Sequence, residues 1–176
     1  MRGYTLIEAI ISVLLLAIIL LGGTTLFYQN LKSVGFSDVN SNLNSTLNSI
    51  LGALEKDIRY GEVTNVGMGS RLECLTTESA GYGGTSLRVR DLNGHETVYS
   101  LEDDKVASTA SETGQKGYLN SDDIKVETLD FTWFCLAGVG DKIKITIDAS
   151  SNILSTGIKV EQNVSTEVDL LNSGLI

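Results

Sequence analysis

The chain has 176 residues, 42% of them hydrophobic and 20% charged, with 13 basic against 22 acidic residues and a net charge of −9. That length fits one ordinary domain with an appendage, and the composition is that of a globular protein. Residues 33–176 hold 11 of the basic and 21 of the acidic residues with no basic cluster, which argues against binding nucleic-acid backbone or anionic lipid head groups, both of which need concentrated Lys and Arg.

The first predicted element is apolar. Ala9 to Leu31 is a run of 23 uncharged residues, and a helix of that length crosses a hydrocarbon core of roughly 30 Å at about 1.5 Å per residue. A cleaved signal peptide competes with this reading, but its apolar region is shorter and ends in a small-x-small site, whereas here the run continues through Gly22-Gly23-Thr24-Thr25. Arg2, alone before the run, orients the N-terminus toward the cytoplasm and the remainder outside.

Helical periodicity continues beyond the run. Val34, Val39, Leu43, Leu47, Ile50, Leu51, Leu54 and Ile58 recur at three- and four-residue steps, which predicts an amphipathic helix despite many Ser and Asn. Gly61 is the expected stop, in the left-handed conformation, and Gly22, Gly23 and Gly35 are places where the helix of some 50 residues can bend. The period then shortens to alternation. Strands are predicted over 71–78, 85–92, 95–103, 124–134, 142–149 and 157–171, with Asn93-Gly94 as a two-residue hairpin turn and 107–123 as an exposed loop. The result is an α+β fold: a long N-terminal helix, half in lipid, whose amphipathic half covers one antiparallel sheet of five or six strands.

Little of the sequence carries reaction chemistry. His95 sits beside a predicted turn with no nucleophile and orienting partner near it, and there is no G-x-S-x-G elbow, phosphate loop or zinc spacing, so an enzyme is not expected. The acidic pairs Asp103-Asp104 and Asp122-Asp123 lack a D-x-D-x-D-G loop; solvated charge without a cofactor is the expectation, with calcium the alternative. Phe131, Trp133 and Phe134 are either core or a sugar-binding surface. Cys74 and Cys135, 61 positions apart, are either one disulfide of an exported domain or two buried thiols.

Glu8 stands out as the one charge between Gly3 and Leu31. Thr5 and Glu8 match a capping box, and a carboxylate suits the positive end of a helix. Yet an acidic residue in lipid costs about 2.5 to 3.5 kcal/mol on insertion scales, which marks it as a functional candidate in need of a partner.

Gly3-Tyr4-Thr5-Leu6-Ile7-Glu8, followed at once by the apolar run, resembles the class III signal of the type IV prepilin and pseudopilin family. The resemblance implies a leader of residues 1–3, cleavage by a prepilin peptidase between Gly3 and Tyr4, and N-methylation of Tyr4 as the new terminus. It gives Glu8 a partner, the Tyr4 α-amine of the same chain or of a neighbouring subunit. It further implies a transmembrane and filament-core helix over 4–31, an amphipathic helix over 32–61 and a β-rich head over 62–176. The expected partners are other pilin or pseudopilin subunits, the peptidase, an inner-membrane assembly platform and the membrane itself. Expected localisation is the cytoplasmic membrane, then a filament in the periplasm or at the cell surface.

The stretches LEKDIRYG, NGHETVYSLEDDKV, DDIKVETLDF, KIKITID and VSTEVDLLNS are similar to the J-type pseudopilins of type II secretion and to W-type minor pilins. The chain departs from the family pattern in its three-residue leader, its lack of proline and cysteines far from the C-terminus, the last of which favours a minor subunit. The rival class is a membrane-anchored binding module, an adhesin or sugar binder, for which the N-terminal helix is only a stalk.

Overall fold

The computed structural model describes residues 5–77, 80–135, 140–152 and 159–171. One helix, α1 (Leu6–Tyr60), opens the chain and runs for 55 residues without a break across Gly22, Gly23 and Gly35. The molecule divides into two compact units, Met1–Asp38 and Val39–Ile176, and the division falls inside α1. The second unit is called the head below.

In the head the predicted period does what it promised. Leu43, Leu47, Ile50, Leu51, Leu54 and Ile58 form one stripe of α1 and are all buried. The stripe packs into a single core with the inward faces of the sheets, so the architecture is α+β with the helix covering antiparallel sheet.

The described residues form two sheets rather than one. The strands are β1 (Glu62–Val66), β2 (Gly69–Ser70), β3 (Tyr82–Gly84), β4 (Ser86–Arg90), β5 (Glu96–Glu102), β6 (Lys105–Ala110), β7 (Lys116–Tyr118), β8 (Ile124–Phe134), β9 (Lys142–Asn152) and β10 (Lys159–Asp169). The first sheet has the order β2-β1-β4-β5-β6-β7 and the second β10-β9-β8-β3. Every pairing is antiparallel.

Alternation explains the second sheet. Ile143, Ile145 and Ile147 of β9 are fully buried, as are Ile124, Val126, Leu129, Phe131 and Trp133 of β8 to within 2% exposure. The inward positions of β8 switch from even to odd because its register against β9 shifts between Val126 and Thr128, a bulge that inserts Glu127.

Several expectations are corrected. The strand predicted over 71–78 is replaced, in its described part, by a helix: Arg71–Thr76 is α2, started by Ser70, whose backbone N–H donates to Glu73 Oε2 at 2.9 Å, and residue 78 lies outside the described residues. The Ser-x-x-Glu signature of a capping box outweighs the brief alternation that suggests a strand. The segment 107–123 is not simply a loop, because β6 and β7 lie within it and Ala107 is fully buried. Small residues of low strand propensity are held there by pairing with β5, from Thr97↔Ala110 to Glu102↔Lys105.

The hairpin turns also change places. Asp103 and Asp104, with φ of 48° and 61°, make the two-residue left-handed turn between β5 and β6. Between β4 and β5 the loop is longer: Gly94 N–H donates to the Asp91 carbonyl at 3.1 Å, Asp91 N–H to the His95 carbonyl at 2.9 Å, and Gly94 has φ +90°. The Asp91 carboxylate locks it by accepting from the backbone N–H groups of Asn93 and His95. Gly61 ends α1 but is not left-handed. A Cβ there would lie 2.5 Å from Val89 Cγ1 and 2.6 Å from the Asp57 carbonyl, so glycine is required by close approach to β4.

Candidate functional site: the apolar N-terminal helix

The candidate is built at the start of α1. Thr5 precedes the first helical residue, and its carbonyl accepts from the backbone N–H of Glu8 at 3.0 Å and of Ala9 at 3.2 Å. Glu8 occupies the first turn, where a carboxylate meets the positive end of the helix dipole. Ser12 Oγ donates to the Glu8 carbonyl at 2.7 Å, which occupies a polar side chain inside an apolar run. Thr5 and Glu8 make no side-chain capping bond among the described residues; the reciprocal box forms at Ser70 and Glu73 instead. Gly3 and Tyr4, the predicted cleavage and methylation positions, lie outside the described residues.

Beyond Glu8 the helix presents uncovered apolar surface. The large hydrophobic side chains from Leu6 to Leu31 are 53–80% exposed, and α1 is long and apolar enough to cross a membrane. A continuous apolar surface of this extent is incompatible with water and calls for lipid or other helices. The helix is thus compatible with a single membrane anchor near the N-terminus. Thr24 and Thr25 Oγ1 both donate to the Leu21 carbonyl, at 3.0 and 2.9 Å, which satisfies their hydroxyls beside Gly22-Gly23.

The other predicted residues fall elsewhere, in the head. Cys74 of α2 and Cys135 at the end of β8 are joined as a disulfide with Cα atoms 5.8 Å apart, and both residues are buried. His95 is exposed at the β4–β5 turn, its Nδ1 3.5 Å from Asp91 and its Nε2 3.8 Å from Glu112. Asp103 and Asp104 are turn residues, and Asp104 pairs with Lys125 at 3.2 Å. Asp122 pairs with Lys105, while the Asp123 carbonyl accepts from Ser151 Oγ. No group of three or more His, Cys, Asp or Glu placed to hold a metal ion occurs among the described residues. Phe131 and Trp133 lie in the core, whereas Phe134 is half-buried at the end of β8.

Three buried polar arrangements have no signal in the sequence. Asp141, 1% exposed, receives Arg71 Nε at 2.9 Å and Nη2 at 3.3 Å, and this hydrogen bond and charge raise the Arg71 guanidinium above its ordinary value. Asn120 joins the two sheets: its Oδ1 accepts from Val106 N–H at 2.8 Å, and its Nδ2 donates to the Ile124 carbonyl at 2.7 Å. Tyr99 donates its phenol to Asp57 of α1, and burial first, then that carboxylate, push the phenol well above its ordinary 10.0. Beside this pair a cleft of about 320 Å³ opens between the last turn of α1 and the β4–β5 hairpin, lined by Lys56, Asp57, Gly61, Asp91 and Leu92 among others. With charges of both signs and an exposed Leu92, it offers no single ligand chemistry.

Comparison of the chain with protein-family models, with curated proteins and with solved structures returns no match.

Proposed function

We propose that this protein is a minor pilin or pseudopilin: a subunit anchored in the cytoplasmic membrane by residues 4–31, cleaved after Gly3 and incorporated through α1 into an extracytoplasmic filament. One observation carries the reading. A lone acid, Glu8, five residues after Gly3, heads an apolar helix surface that stays exposed among the described residues.

The chemistry is economical. Cleavage before Tyr4 creates an α-amine one helical turn from Glu8, since four residues rise about 6 Å. Two opposite charges withdrawn from water offset much of each other's desolvation cost, and the pair gives a register to helices that otherwise slide along one another. The buried Cys74–Cys135 bond suits a head that folds in an oxidising compartment.

Glu8→Leu separates this reading from a plain anchor. A stalk gains from losing a carboxylate and anchors as before. A filament subunit loses incorporation by more than tenfold, about 1.4 kcal/mol per factor of ten, because the Tyr4 amine is left unpaired, while the folded head stays intact. Normal incorporation of the variant sinks the pairing role.

A further inference from the structure

We propose that the free edge of β10 docks an extended segment of another protein in which Lys or Arg alternates with β-branched residues. Four strands end the two sheets, and three are blunt: β2 has two residues, β3 and β7 three each. The fourth, β10, offers eleven residues in an unshifted register with β9. Among the described residues no backbone hydrogen bond reaches 159–169 apart from the ladder to β9. Proteins ordinarily protect so long an edge with proline, a bulge or several lysines, because its unpaired N–H and C=O groups recruit another strand. The chain has no proline, β10 has no bulge, and its single basic residue is Lys159.

The side chains of β10 define the occupant. Val160, Val164 and Val168 face the core, Gln162 and Thr166 on the same face donate to Asn40 and Glu55 of α1, and Lys159, Glu161, Asn163, Ser165, Glu167 and Asp169 face outward. Lys159 already contacts Glu127 at 2.6 Å and Glu161 at 2.8 Å, and Glu167 has no ion-pair partner among the described residues. The inner neighbour shows what such a strand accepts: β9 places Lys144 opposite Glu167, Lys142 opposite Asp169, Ile143 opposite Val168 and Ile147 opposite Val164. Directly opposed side chains in an antiparallel pair sit about 5 Å apart on the same face, so an added strand meets the same acidic and valine rows from the other side. A second copy of β10 fits poorly, since it brings a net charge of −2 against the same.

This inference rests on the head alone and stands or falls apart from the pilin reading. The test uses the full chain in detergent micelles with two blocked peptides, KIKITIDA, which copies residues 142–149, and EIEITIDA, in which both lysines are replaced by glutamate. The first is expected to slow backbone hydrogen exchange at least tenfold at those amides of 159–169 that are not bonded to β9. The second should bind at least tenfold more weakly, and Glu161→Lys/Glu167→Lys in the protein should reverse the preference. Equal binding of the two peptides to the unaltered chain, protection elsewhere, or protection that grows with protein concentration without peptide each overturns the proposal.

Discussion

Arg71 and Asp141 stand 70 positions apart and meet through two hydrogen bonds of 2.9 and 3.3 Å, with the carboxylate side chain 1% exposed and the guanidinium side chain 29% exposed. They lie on the same two segments that the Cys74–Cys135 disulfide joins, α2 and the stretch between β8 and β9. The Asp141 carbonyl also accepts from Leu170 N–H at 3.0 Å, at the end of β10. The unequal burial of the two charges makes their loss unequal. Arg71→Ala strands a buried carboxylate and is expected to cost about 3 kcal/mol, whereas Asp141→Asn leaves a partly solvated guanidinium and should cost clearly less. Denaturant unfolding of the two variants, followed by Trp133 fluorescence, reads the difference.

The disulfide closes a loop between positions 61 apart, for which chain entropy predicts about 4 kcal/mol. Both half-cystines are buried, so reductant should leave the native bond intact until the head unfolds. The expected signature is a melting temperature that drops for Cys74→Ala/Cys135→Ala, together with resistance of the unaltered protein to thiol labelling below its melting transition.

Asn120 ties β6 to β8 with a side chain that is 6% exposed. Asn120→Ala strands the Val106 N–H and is predicted to destabilise the head by about 1 to 3 kcal/mol. Hydrogen exchange should rise first at Val106, the amide that loses its acceptor.

Tyr99 sets an alkaline limit. Its folded-state value is raised above 10.0, so the stability it contributes is complete below pH 10 and is lost progressively as pH climbs from there. Tyr99→Phe should cost about 1 kcal/mol at neutral pH, because Asp57 loses a donor, and should flatten the decline above pH 10. On the acid side, Lys159 and Ser150 hold Glu127 below its ordinary 4.5, and Thr128 and Asn163 hold Asp148 below 3.8. Their contribution is present above those ordinary values and fades as pH falls through the lowered ones. Urea midpoints measured across pH 2 to 12 test both limbs.

Elements that repeat one choice several times are the ones legible in the sequence. The stripe from Leu43 to Ile58 and the alternation of Ile143, Ile145 and Ile147 are of this kind, so no single residue decides the element. The second sheet, α2 and β6 escape for the opposite reason. Val106 and Ala107 become a strand through β5, and a short alternating run at 71–76 yields to one capping pair. Gly61 does stop α1, but its cause is contact with Val89, which exists only after folding. The polar pairs Arg71–Asp141, Asn120–Val106 and Tyr99–Asp57 join positions 14 to 70 apart, beyond any local pattern. The candidate site is the reverse case. Its content is the uncovered apolar surface after Glu8, which is a property of the residues themselves and survives folding unchanged.

The most direct test of assembly through a processed α1 is the intact mass and N-terminal sequence of the protein from cells with and without a prepilin peptidase. Cleavage between Gly3 and Tyr4 predicts a chain that begins at a methylated Tyr4 when the peptidase is present and at Met1 when it is absent. A chain that still begins at Met1 in peptidase-positive cells contradicts it.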